Sequence, residues 1–301
     1  MREMTRIQAN LLLLLAGAIW GMGFVAQSTA MEAIGPFLFT GLRFTMAALA
    51  ILPFALRESG RATSPLTTRN WLSFVWIGLM LFGAIVFQQI GLLHTTVTNS
   101  GFLTGLYVVI TPLFAVILFR NWPHPIVWPA AITAMAGIWF LSGGGATAFN
   151  TGDWLTVLAA GFCALQLIFI GRAAAPTGRP LTLAVTQSAV VAVLGLTIAL
   201  VMEPIEWQAI RLALPEILYA GIFSGGLAFT LQIIGQRYTT ASQAAIFLSS
   251  EAVFAGLFGA LFLGERLPAT GLLGCGLIFI AILAVEVLPP LFAKRAPAGT
   301  A

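Results

Sequence analysis

Charge is what this sequence has least of. Only 8% of its 301 residues are charged, against about a quarter in soluble domains, and aspartate occurs once, at Asp153. Histidine occurs at His94 and His124 alone, and cysteine at Cys163 and Cys275 alone. Both cysteines lie deep in apolar runs, so they exclude a disulfide scaffold and offer no metal-ligand spacing; they read as small packing residues. One aspartate and two histidines at helix ends on opposite sides cannot supply the paired groups that an intramembrane protease or transferase needs. No catalytic residue, cofactor or metal is therefore expected. A Walker A motif is also missing, which sets direct ATP drive aside. The net charge of +4 and pI near 9.7 do not indicate nucleic acid, because the basic residues are dispersed and form no stripe with interleaved aromatics.

What fills the sequence is hydrocarbon: 59% of residues are hydrophobic, mean hydropathy is +0.98, and lipid is the solvent such a chain requires. A spanning helix takes about 20 apolar residues. Ten stretches qualify, at 10–30, 36–56, 70–93, 96–119, 125–141, 153–172, 181–202, 213–236, 239–263 and 267–288. Arg2 and Arg6 ahead of a leucine run resemble a signal peptide, but the segment is needed as the first element of the repeat below and is read as a retained helix. With the N-terminus cytoplasmic, the cytoplasmic segments carry Arg2, Arg6, Arg57, Arg61, Arg69, Arg120, Arg172, Arg179, Arg237, Lys294 and Arg295. The other side carries Arg211 and Arg266. This bias places both termini in the cytoplasm.

Sliding the chain against itself by 144 residues, the separation of Gln88 and Gln232, superposes Ile90 on Ile234, Gly91 on Gly235, Thr95 on Thr239 and Thr96 on Thr240. At the same offset Gly17 meets Gly161, Asn99 meets Gln243, Phe114 meets Phe258 and Arg43 meets Gln187. The chain is thus two five-helix units, residues 1–149 and 150–301. Five is odd, so the second unit enters the membrane from the opposite side, and the fold class is an all-α bundle of ten helices in two inverted repeats.

Trp20-Gly21, the run from Gln88 to Pro112, and the run from Ser249 to Leu267 with its Gly264-Glu265 pair resemble the drug/metabolite transporter superfamily, in its EamA-type ten-helix permeases. The pattern departs at Arg120-Asn121, where the first repeat would show Gly-Glu, and at Ala252, where proline is common after the glutamate. The resemblance implies an exporter of metabolites or amino acids in the bacterial inner membrane, with a cavity lined by the first, third, fourth, sixth, eighth and ninth helices.

Within the spans, Glu251 falls near the midplane, where an isolated charge costs at least ~2.5–3.5 kcal/mol. It reads as a proton or substrate-amine site, or as a neutral acid stabilising the bundle. Arg43, a third of the way along the second helix, reads as a carboxylate binder or a helix–helix tie. Trp20 and Tyr107 lie at midplane depth, away from the interfacial belts, and with Phe24 form either an aromatic platform or ordinary packing. The repeat pairs Gln88 with Gln232 and Asn99 with Gln243 read as bonds that reshuffle between states or as interhelical glue. Ser224 marks a break in the eighth helix, and the spacings Gly17/Gly21, Gly101/Gly105 and Gly221/Gly225 mark close helix approach.

The function expected is secondary transport of small metabolites, amino acids including aromatic ones foremost, by alternating access through a central cavity in a monomer, with protons as a candidate coupling ion. A passive facilitator or pore, or a multidrug permease, is the alternative.

Overall fold

The computed structural model describes residues 4–62, 64–141, 150–265 and 270–293. Lipid supplies no hydrogen bonds, so a chain this apolar must satisfy its main chain within helices. The described residues form α1 (Arg6–Ala30), α2 (Pro36–Gly60), α3 (Thr68–Gly91), α4 (Val97–Thr104), α5 (Tyr107–Phe119), α6 (Val127–Leu141), α7 (Thr151–Thr177), α8 (Pro180–Met202), α9 (Trp207–Leu212), α10 (Leu214–Leu218), a π-helix (Tyr219–Ala228), α11 (Phe229–Gly235), α12 (Ala241–Leu248), α13 (Ser250–Leu263) and α14 (Gly271–Ala293). Among these residues nine spans are long and apolar enough to cross a bilayer, and Val127–Phe140 is a shorter apolar helix in the place of the fifth. The fourth span joins α4 to α5, the eighth joins α10, the π-helix and α11, and the ninth joins α12 to α13.

The expected spans are present, with corrected ends. α1 begins at Arg6 because Thr5 and Gln8 form a capping box there. α2 runs on to Gly60, and α7 on to Thr177 before Gly178 turns left-handed. α6 starts two residues later than expected, after the proline-rich segment Trp122-Pro123-His124-Pro125. Arg2, Arg266, Lys294, Arg295, the 267–269 start of the tenth span and the boundary at residue 149 lie outside the described residues.

The packing follows a two-fold pattern. α2 packs on α8 and α6 on α14, each helix against its own repeat equivalent. α3 packs on α7, as α11 and the π-helix pack on α1; α1 packs on α13, as α7 packs on α4 and α5. The glycine spacings serve these seams. A Cβ at Gly17 or Gly21 would run into Ser250 or Phe254 of α13, one at Gly221 into the backbone of α2 at Arg43, and one at Gly101 or Gly105 would press on Ala255 or Ile138. Large apolar side chains such as Leu49, Ile117, Val201 and Leu272 face outward, and Trp71, Trp122, Trp154 and Trp207 are exposed near helix ends, where indole rings settle at a membrane interface.

The α2–α8 pair carries a reciprocal bond. At the face bearing the α1–α2 turn, the Glu203 carboxylate accepts from the main-chain nitrogens of Phe37 (2.9 Å) and Leu38 (2.7 Å). At the face bearing the N-terminus, the Glu58 carboxylate accepts from Leu181 (3.0 Å) and Thr182 (2.8 Å). Both recipient helices open on proline, Pro36 and Pro180, whose fixed φ suits a first turn. Each glutamate leaves the end of one helix and neutralises the exposed N–H groups of its equivalent.

The repeats diverge where the fourth and ninth spans end. Gly264 adopts φ 67°, and its equivalent Arg120 adopts φ 51° in the same left-handed region, where a side chain costs roughly 1–2 kcal/mol.

Glu58→Ala and Glu203→Ala should each lower the unfolding free energy by about 1–3 kcal/mol, the cost of stranding charge-assisted bonds, and their effects should add because they lie at opposite faces; denaturant titration of the purified protein measures both. In the same assay Arg120→Gly should stabilise by about 0.5–1 kcal/mol, the left-handed strain relieved less the added freedom of the unfolded chain.

Candidate functional site

A cavity lined from both halves lies inside the bundle, with about 610 Å³ of atom-free space that includes the solvent at its mouth. Its wall takes Trp20, Phe24 and Gln27 from α1, Arg43 from α2, Leu81, Ala84, Ile85 and Gln88 from α3, and Thr104 and Tyr107 from the fourth span. Cys163, Gln166 and Leu167 come from α7, Ser224, Phe229 and Gln232 from the eighth span, and Leu248 and Glu251 from the ninth. The second span therefore joins the six expected from the resemblance.

The wall is built around the pseudo-two-fold axis. Gln88 with Gln232, Ile85 with Phe229, Thr104 with Leu248, and Tyr107 with Glu251 are repeat equivalents at the 144-residue offset, and all eight line the cavity. The last pair stands just beyond matching helix breaks. The fourth span is interrupted at Gly105-Leu106 and the ninth at Ser249, Gly105 and Ser249 being equivalents themselves. Ser249 turns its hydroxyl back onto the Ile246 carbonyl at 2.6 Å, a bond that competes with the helical ladder. Breaks at membrane depth are tolerated where they border protein or a cavity. The Tyr107 hydroxyl and the Glu251 carboxyl are electrostatic neighbours, yet the hydroxyl and Oε1 of Glu251 make no hydrogen bond of good geometry among the described residues.

Aromatic rings form one side. The Trp20 and Phe229 ring centroids are 4.8 Å apart, and Phe44 lies 5.9 Å from Phe229. Trp20 Nε1 donates to the Ser224 carbonyl at 3.1 Å, and the Tyr219 hydroxyl donates to the Ile19 carbonyl at 3.0 Å. The π-helix thus offers one main-chain carbonyl and a hydroxyl to α1, and the glycine-rich break expected at Ser224 takes the form of a wide turn rather than a gap; such turns recur at functional sites.

Amides line another part of the wall and continue behind it. Gln232 Nε2 donates to Gln166 Oε1 (3.2 Å), Gln166 Nε2 donates to Gln187 Oε1 (3.3 Å), and Gln88 Nε2 donates to the Thr104 hydroxyl (3.0 Å). The oxygens of Gln232 and Gln27 remain without partners. Arg43 is buried at 2% exposure between the rings of Phe39 and Phe44, with centroids at 5.2 and 5.1 Å from its guanidinium carbon, and its Nε and Nη2 bond to nothing among the described residues.

Eight of the ten residues singled out in the sequence thus meet in one cavity: Trp20, Phe24, Arg43, Gln88, Tyr107, Ser224, Gln232 and Glu251. Asn99 and Gln243 are absent from its wall. Asn99 lies in the first turn of α4, donating to Thr95 (2.7 Å) and Asp153 (2.7 Å), and Gln243 accepts from Thr239 (3.0 Å) beside the Thr240 cap of α12. Their symmetry reflects a shared capping role. Gln27, Thr104 and Gln166 were missed; a mid-span amide is itself a signal, but Gln27 and Gln166 align with Gly171 and Met22 and so escape a search for paired polar residues.

Alkylation tests the cavity without reference to cargo. In Cys275→Ser, a small maleimide should modify Cys163 through the cavity, and Ala84→Phe, which adds bulk to the cavity wall on α3 beside α7, should slow that reaction at least tenfold, as followed by intact-protein mass.

A solved crystal structure superposes with a TM-score of 0.78, covering 96% of this chain and 99% of the other at 20% identity, which fixes the fold. An uncharacterized transporter of Archaeoglobus fulgidus is 31% identical over 282 residues, 94% of this chain and 87% of that protein. The uncharacterized transporter YwfM of Bacillus subtilis is 26% identical over 289 residues, 93% of this chain and 94% of that one. The model of the EamA-like transporter family matches twice, over residues 7–143 and 150–287. The chain belongs to the EamA-like transporter family, as a multi-pass membrane protein that carries the family unit in two tandem copies.

Proposed function

We propose that the protein is a secondary transporter that moves small amphiphilic metabolites, amino acids including aromatic ones foremost, across the bacterial inner membrane by alternating access, outward as its resemblance implies. The observation that carries this reading is the cavity wall made of repeat equivalents from both halves. Two inverted units meeting at one site can exchange conformations, so that a cavity open to one side becomes a cavity open to the other. The units are residues 1–149 and 150–301, the working form is a monomer, and the basic-residue bias puts both termini in the cytoplasm.

The amino-acid reading rests on the cavity's chemistry. It holds one base, one acid, free amide oxygens and the Trp20–Phe229 ring pair, which together suit a zwitterion carrying a flat or apolar side chain. Glu251 is the proton-linked group in this reading: it is 4% exposed, neighbours its repeat equivalent Tyr107, and can take up or release a proton in whichever direction the cavity opens. A passive facilitator would share the cavity but not the coupling.

Two outcomes in proteoliposomes are expected. Uptake from a panel of radiolabelled amino acids, sugars and drug cations should saturate for amino acids, whereas linear, unsaturable flux would reject a carrier. Glu251→Gln should retain counterflow while losing accumulation driven by an imposed pH gradient; equal accumulation with and without that gradient in the unaltered protein would reject proton coupling.

A further inference from the structure

The binding assignment within this cavity can be taken further, on the proposal that the protein transports amino acids. The carboxylates of Glu58, Glu203 and Asp153 are all engaged at helix ends, and Arg43 forms no ion pair or hydrogen bond through Nε or Nη2 among the described residues. The groups packed around it are Phe39 and Phe44 of its own helix, the backbone of the π-helix at Gly221, and the cavity, whose other ionisable side chains are Glu251, Tyr107 and Cys163. Two aromatic faces hold the guanidinium in place but donate and accept nothing along its edge. A fixed cation in a membrane interior is costly unless something polar meets it, and a guanidinium edge with two free N–H directions matches a carboxylate.

The repeat sharpens the point. The equivalent of Arg43 is Gln187, which is fully buried in an amide chain with Gln166 and Gln232. The fold at this position therefore accommodates a neutral amide, and the cation is a departure confined to one half.

We infer that Arg43 is the specificity-determining residue that receives the substrate's carboxylate, so that a carboxylate is required of the cargo and an ammonium is not. The free oxygens of Gln27 and Gln232 accept from the ammonium where one is present. Decarboxylated amines are excluded, because they would leave Arg43 buried and unmatched while adding a second cation to the same cavity.

The test is competition for binding of radiolabelled phenylalanine to the purified protein by two matched analogues, 3-phenylpropanoate, which lacks the amine, and phenethylamine, which lacks the carboxylate. The acid should compete within about tenfold of phenylalanine, and the amine at least a hundredfold more weakly. Arg43→Gln, which copies the other repeat, should lose at least tenfold in affinity for the acid and erase the discrimination, while Arg43→Lys should keep its order. A monodisperse gel-filtration profile and unchanged Cys163 alkylation establish that the variants are folded. Equal competition by acid and amine, or discrimination unaltered in folded Arg43→Gln, overturns the inference and leaves the transporter reading standing. If phenylalanine does not bind, the labelled acid is used directly: Arg43-dependent binding of the acid keeps the assignment and rejects the amino-acid cargo, and no binding of either overturns both.

Discussion

Everything in this molecule follows from a solvent that cannot hydrogen-bond. In lipid each exposed N–H or C=O must find its partner inside the protein, and the few charged residues are placed accordingly. Glu58 and Glu203 close the first turns of α8 and α2, Glu265 reaches the main-chain nitrogen of Val97 at the start of α4, and Asp153 ties the α3–α4 turn to α7 through Thr95 and Asn99. With these carboxylates occupied at helix ends, Arg43 and Glu251 are the base and the acid that line the cavity.

Symmetry organises the rest, and its failures are as informative as its matches. The helix breaks, the cap residues Thr96 and Thr240, and the clamps on α2 and α8 repeat across the halves. Chemistry enters where they do not: Arg43 against Gln187, Tyr107 against Glu251, Thr104 against Leu248. The duplicated frame is shared by both halves, while single-copy substitutions give its centre its acid and its base. Arg120 is such a departure at the surface, holding by itself a backbone conformation that Gly264 adopts freely.

Much of this was legible beforehand, for physical reasons. Span positions follow from hydrocarbon thickness, and inversion from the odd number of helices per unit. Arg43 and Glu251 announced themselves because charge at that depth demands an explanation. Asn99 and Gln243 make bonds at helix starts, one of them to a second helix: a paired polar residue marks a shared cap as readily as a shared cavity, and the two differ only in distance from the helix start. The Tyr107–Glu251 pairing was within reach of the same offset that paired the glutamines, but phenol and carboxylate do not look alike. The π-helix was visible only as a cluster of glycines, since nothing local separates a broken turn from a widened one.

The reciprocal clamps on α2 and α8 have a mechanical meaning beyond stability. One joins the halves at one membrane face and the other at the opposite face, through bonds of 2.7–3.0 Å with little slack. Sliding along the pair, or prying it apart at either end, would break a clamp. Any relative motion of the halves that spared both clamps would be a swing about the line between them, with the α2–α8 pair as its pin.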